Sequence, residues 1–131
     1  MVDEGKINWD DKVTSHLPYF ELYAPYVTNN FTIRDLLTHR SGLKSVSGGT
    51  LWYHSDKSRV DIIKGLQYLI PGSGFRVKPA FQNVMFVVAS EIVKKVAGMP
   101  WDTFLHTRVF YKLKMSNITS LAAEREATVN L

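Results

Sequence analysis

The chain has no cysteine and only 5 prolines and 8 glycines in 131 residues. Without cysteine, disulfides and thiolate chemistry are excluded. No stretch reaches the roughly 18 consecutive apolar residues that a membrane-spanning helix needs, so no membrane segment is expected. No signal peptide is read before Asp3. The 4 histidines, His16, His39, His54 and His106, are scattered without metal-ligand spacing, and no H-E-x-x-H pattern occurs. No metal site is expected. Gly48-Gly49 and Gly72-x-Gly74 lack the Lys-Ser/Thr continuation of a phosphate loop and read as turn glycines. No cofactor is expected.

What is present suffices for one domain. Apolar residues make up 45 % and charged residues 21 %, with 3 Trp, 6 Tyr and 7 Phe, which argues for a packed core rather than disorder. The formal charge is +4, from 16 Lys plus Arg against 12 Asp plus Glu. These basic residues are spread out, their densest run being Lys94-Lys95, whereas a nucleic-acid footprint needs them clustered on one face. Solvated helix faces are the expected reading, with no nucleic-acid partner.

Helical signals recur along the chain. Residues 3–31 read as loop-rich, with a helix end stopped at Gly5, short turns near Asp10 and Leu17-Pro18, and a loop at Thr28-Asn29-Asn30. Thr32 caps a short helix over Ile33–His39. Asp35 completes a capping box, Phe31 and Leu36 form a hydrophobic staple, and Gly42 is placed to end the helix. Residues 43–54 read as a loop. Ser55 is expected to cap a helix to about Tyr68, closed by Pro71-Gly72. Phe75–Ala80 reads as an extended linker into the longest helix, about 83–97. Ser90, Glu91, Lys94 and Lys95 form its one narrow polar face, and it is expected to be the central helix of the core. Gly98 ends it and Pro100 occupies the first position of the next helix. A weak helical signal follows at 121–124 within a polar tail, 117–131, expected to be poorly ordered. No segment alternates with period two, so the fold class is mainly α.

Several ordered motifs carry chemistry. Val2-Asp3-Glu4-Gly5-Lys6-Ile7, Thr32-Ile33-Arg34-Asp35-Leu36-Leu37-Thr38-His39-Arg40-Ser41-Gly42-Leu43, Phe81-Gln82-Asn83 and Leu113-x-Met115 follow one another at set spacings. Together they resemble the serine β-lactamase and penicillin-binding protein superfamily, in its class C and esterase or D-aminopeptidase-like branch, over residues 2–118. The resemblance implies a helical subdomain of the β-lactamase/transpeptidase-like fold, with the antiparallel sheet and the nucleophile helix lying outside this segment. The nucleophile motif Ser-x-x-Lys is expected to be absent from these residues and to precede Met1. A Lys-Thr-Gly or His-x-Gly motif is expected beyond Leu131.

By the same resemblance, Asn83 sits where the family's asparagine binds the substrate amide, a task suited to a side chain that both donates and accepts. The alternative is an N-cap for the following helix. Phe81 stands at the family's tyrosine position, where a phenol helps to move a proton. A phenyl ring cannot, and the alternative for Phe81 is an aromatic core residue. His39 and Ser41 lack the third group and the oxyanion frame of a triad and are read as a structural turn. The implied activity of the longer parent is acyl transfer from a lactam, ester or D-amino-acid amide, on a small-molecule or peptidoglycan-like substrate in the periplasm, cell envelope or outside the cell. The 131 residues alone are expected to be inactive. The competing reading is a non-catalytic helical module that binds peptidoglycan or regulates.

Overall fold

The first six residues form a turn that only glycine closes without strain. Gly5 has φ +64°; its N–H donates to the Val2 carbonyl at 2.8 Å and the Lys6 N–H donates to the Met1 carbonyl at 3.0 Å. This nested pair is the Schellman pattern that ends helices, as the sequence predicts for Gly5. The computed structural model describes residues 1–116 and 118–120. The weak helical signal at 121–124 and most of the expected tail lie outside the described residues.

In chain order the elements are α1 (Val13–His16), α2 (Pro25–Asn30), α3 (Ile33–Leu37), α4 (Gly49–Trp52), α5 (Arg59–Gly65) with a 3₁₀ turn Leu66–Tyr68, α6 (Val84–Ala97) and α7 (Trp101–Leu105) with a π turn His106–Phe110. Among the described residues there is no sheet, only two isolated antiparallel bridges, Lys12 with Thr32 and Leu43 with Pro71. The mainly α class predicted from the sequence is the one observed. The described chain divides into two compact units, Met1–Val96 and Ala97 onward.

α3 forms for the reasons its sequence gives. The Thr32 hydroxyl accepts the Asp35 N–H at 3.2 Å, and the Asp35 carboxylate accepts the Thr32 N–H at 3.0 Å, closing the capping box. Phe31 and Leu36 are both fully buried, as the staple requires. The helix nevertheless stops at Leu37, not His39. Thr38 is the C-cap, and His39 itself takes the left-handed conformation at φ +57°. Gly42 is needed for a different reason. At φ +84°, a Cβ there would lie 2.6 Å from the Tyr23 hydroxyl and 2.9 Å from the Ser73 carbonyl.

Five further expectations are corrected. Thr28-Asn29-Asn30 belongs to α2, because Pro25 opens the helix and the Thr28 hydroxyl bonds to the Leu22 N–H at 2.9 Å and the Ala24 carbonyl at 3.1 Å. Residues 43–54 contain the one-turn α4, and the turn predicted near Asp10–Val13 continues into α1. The cap of α5 is Ser58, whose hydroxyl accepts the Asp61 N–H, rather than Ser55. Pro100 is the N-cap of α7, one residue before the predicted position.

The core of the first unit draws Leu17, Phe20, Phe31, Leu36, Leu43, Ile63, Leu66 and Met85 together with Val84, Val88 and Ile92 of α6. α6 therefore runs through the core, as predicted from its apolar character. Its polar face does not simply point to water. Ser90 and Glu91 are buried, and the Glu91 carboxylate lies 3.3 Å from Lys94 Nζ and 3.8 Å from Arg59 on α5. A carboxylate can be buried there because two cations accompany it. In the second unit, Trp101 and Phe104 stack at 6.2 Å between ring centroids.

Candidate functional site

The loop between α3 and α4 and the segment entering α6 are pinned together by one side chain. Gln82 is fully buried. Its Oε1 accepts from the Ser41 hydroxyl at 2.7 Å, and its Nε2 donates to the carbonyls of Leu43 at 3.0 Å and Lys44 at 3.1 Å. Its backbone N–H donates to Nδ1 of His39 at 3.3 Å. A buried amide whose donors and acceptor are all engaged fixes a single arrangement. Backbone bonds extend the join on either side: Ala80 N–H to the His39 carbonyl at 2.9 Å, and Val46 N–H to the Phe81 carbonyl at 2.7 Å.

Gln82 thereby presents its two neighbours outward. Phe81 is 51 % exposed, so the expectation of a core residue is overturned. Side chains alternate along this extended entry, and burying Gln82 turns Phe81 to the surface. Its ring packs against His39 at 5.1 Å between centroids, and His39 meets Phe86 of α6 at 5.4 Å. Asn83 is exposed, and its side chain makes no hydrogen bond among the described residues. The helix entry is held instead by its backbone, the Asn83 carbonyl accepting the Phe86 N–H at 2.9 Å. The capping alternative for Asn83 therefore finds no side-chain bond, and its amide is left to face solvent or a ligand.

One literal Ser-x-x-Lys does stand in the chain, Ser41-Gly42-Leu43-Lys44, contrary to the expectation that the spacing is absent from these residues. It is not built as a nucleophile. Such a motif works on one helical turn, where the lysine reaches the serine oxygen, and Gly42 at φ +84° breaks any helix here. Ser41 is fully buried, donates to Gln82 and accepts the Leu43 N–H at 3.1 Å. His39 is not poised as its base either. With Nδ1 accepting from Gln82, the neutral ring carries its proton on Nε2 and is a donor there. The reading of His39 and Ser41 as a structural turn agrees with these bonds. The Tyr23 hydroxyl donates to the Ser41 carbonyl at 3.2 Å, and burial pushes its phenol above the usual range.

Behind this join stands an ion pair that orients the Phe75–Ala80 linker. Arg76, itself at φ +62°, places its guanidinium on Asp35 through contacts of 2.7, 3.0 and 3.2 Å and donates to the Asn30 carbonyl at 3.0 Å. Burial raises the Asp35 carboxyl, but the bonds from Arg76 and Thr32 outweigh it and hold the group below the usual carboxylate range. The linker is paired rather than free: Arg40 and Arg76 exchange a backbone bond at 3.1 Å and a guanidinium–carbonyl bond at 2.6 Å.

Beside Phe81 opens a groove of about 610 Å³, lined by residues 44–50, 52 and 53. No group of three or more potential metal ligands occurs among the described residues, and no described helix is long and apolar enough to cross a membrane.

The sequence matches the family described as Beta-lactamase over residues 1–128. It is 30 % identical to penicillin-binding protein 4* of Bacillus subtilis over 128 residues, 88 % of this chain and 26 % of that protein. It is 31 % identical to an unguisins hydrolase of Aspergillus campestris over 106 residues, 75 % of this chain and 20 % of that protein. The structure superposes on a D-stereospecific amidohydrolase from Streptomyces with a TM-score of 0.71 and 25 % identity, covering 86 % of this chain and 37 % of that one. The chain thus spans well under half the length of the relatives it matches.

Proposed function

Because the chain belongs to the beta-lactamase family, we propose that it forms the helical wall of a serine-hydrolase cleft in a longer polypeptide. There Asn83 contacts the substrate amide and Phe81 occupies the place of the proton-shuttling tyrosine. The observation that carries this reading is the Gln82 anchor, which buries itself and leaves Phe81 and Asn83 exposed side by side at the start of α6. The reaction is acyl transfer: a serine oxygen attacks a lactam, ester or D-amino-acid amide carbonyl, the amine or alcohol leaves with a proton, and water releases the acyl group. The substrate is of the small-molecule or peptidoglycan-like class.

Within the 131 residues the one serine with a lysine three places on, Ser41, is committed to Gln82 and Leu43. The isolated chain is therefore inactive. The test is to express the full reading frame, extended both upstream of Met1 and downstream of Leu131, beside the 131-residue chain. Both are assayed with a fluorescent penicillin, a p-nitrophenyl ester and a D-alanine anilide. The expected result is acylation and turnover by the extended protein only. A serine-dependent burst from the short chain overturns the claim of inactivity. A frame that lacks a helical Ser-x-x-Lys, or an extended protein that is never acylated, overturns the hydrolase reading and favours the non-catalytic binding module, which the phenyl ring at position 81 also suits.

A further inference from the structure

We propose that the groove beside Phe81 is a subsite for a small aromatic group bearing a carboxylate. Its volume of about 610 Å³ lies within the roughly 300–1,000 Å³ of small-molecule sites. Lys44 is the one charged residue of its lining, which has no acidic residue. Among the described residues no carboxylate pairs with that ammonium. The hydroxyls of Ser47 and Thr50 add short donors, and Trp52 and Tyr53 form an aromatic corner, their rings 5.9 Å apart and nearly perpendicular. Such a corner offers one ring face and one ring edge to a planar guest.

A second, independent feature belongs to the same wall. The indole Nε1–H of Trp52 is buried without an acceptor among the described residues. A buried donor left unpaired costs free energy, and Trp52 holds that cost in a residue of the groove wall. The groove is also fixed to the candidate site. Val46, in its lining, donates its N–H to the Phe81 carbonyl at 2.7 Å, and Gln82 holds the Lys44 carbonyl at 3.1 Å. The inference rests on the acyl-transfer reading for its meaning, since it assigns the groove to one end of that substrate. The occupancy itself requires no chemistry.

Equilibrium titration of the 131-residue chain tests it. The probe is 3-phenylpropionate, compared with its uncharged amide, and the readout is the ¹H–¹⁵N resonance of the Trp52 indole, assigned by Trp52→Phe. The expected result is a saturable shift of that resonance, binding of the amide weakened about three- to tenfold, and a similar loss with Lys44→Met. Methionine keeps the aliphatic stem that lies against Gly72, and the indole resonances of Trp9 and Trp101 report that the fold is kept. Absence of a saturable shift, equal affinity for acid and amide, or unchanged binding by Lys44→Met overturns the proposal. Success here with no turnover by the extended protein rejects only the hydrolase reading. Turnover without binding here rejects only the subsite.

Discussion

The Ser41 hydroxyl donates to Oε1 of Gln82 at 2.7 Å with both side chains fully buried, joining two segments 41 residues apart. The bond excludes Ser41 from nucleophilic work and sets the register of Phe81 and Asn83 at once. Gln82→Leu leaves the Ser41 hydroxyl without its acceptor and the Leu43 carbonyl without its donor, while the Lys44 carbonyl keeps the Ser47 N–H, and we expect destabilisation of about 2–4 kcal/mol. Ser41→Ala removes fewer bonds and is expected to cost about 1–2 kcal/mol. Because the two residues share a bond, the double variant should lose less than the sum. Urea unfolding of the four proteins in this cycle measures the coupling.

The Asp35–Arg76 pair predicts acid sensitivity with a definite sign. Arg76 and Thr32 hold the Asp35 carboxyl below its ordinary value of 3.8 against the opposing effect of burial. The unfolded chain therefore takes up this proton first as pH falls. The stabilisation is fully present above about pH 4 and is lost as pH drops through the lower folded value. Asp35→Asn should flatten stability against pH over this acid range. At neutral pH it should cost roughly 2–3 kcal/mol, less than a wholly buried pair because the guanidinium is 41 % exposed. Urea midpoints between pH 3 and pH 7 check both statements.

Two serines compete on paper for the start of α5, and the structure chooses the second. Ser58 accepts the Asp61 N–H at 3.2 Å and donates to the Asp61 carboxylate at 2.6 Å, whereas Ser55 receives only the Lys57 N–H at 3.2 Å. Ser58→Ala should cost about 1 kcal/mol and Ser55→Ala less than about 0.5 kcal/mol. Thermal melts of both variants distinguish them.

The Ser58 case illustrates what the sequence makes legible. An acidic residue three places after a serine marks a cap, and that spacing fits Ser58 with Asp61, not Ser55. Thr32 with Asp35 carries the same signal, and there it was sufficient. The long apolar run of α6 likewise announces a core helix. Gln82 carries no comparable mark. Glutamine is usually exposed, and its burial depends on carbonyls of Leu43 and Lys44 that come near only after folding. The motif letters single out Phe81 and Asn83, but the residue between them organises the site. Glu91 escapes for a related reason. Lys94 is on the same helix, but its second cation, Arg59, lies on α5, and no periodicity within α6 reveals that one.

Restoring a phenol at position 81 separates packing from chemistry. The Phe81 ring is half exposed and rests on His39, so Phe81→Tyr adds a hydroxyl at the surface and should change stability by less than about 0.5 kcal/mol. In the extended protein the new hydroxyl supplies the titratable oxygen that proton transfer requires. Turnover should rise by about 10²-fold if no other group already serves. The pH dependence of kcat with a p-nitrophenyl ester decides the matter. A new alkaline limb accompanying the rise assigns the proton to the phenol. An unchanged profile with unchanged rate shows that another base in the longer polypeptide does the work.

Asn83 gives the complementary test, because its two readings predict opposite outcomes. If it were a helix cap, Asn83→Ala would cost about 1 kcal/mol. Its side chain is exposed and forms no bond to the first turn of α6 among the described residues, so we expect less than about 0.5 kcal/mol. If it binds the substrate amide, the same variant of the extended protein loses a hydrogen bond that anchors the reacting carbonyl. Then kcat/KM for a D-amino-acid anilide should fall about tenfold or more. An ester has no amide N–H to engage and should suffer less. A stability loss near 1 kcal/mol with undiminished turnover returns Asn83 to the role of a cap and removes it from the site.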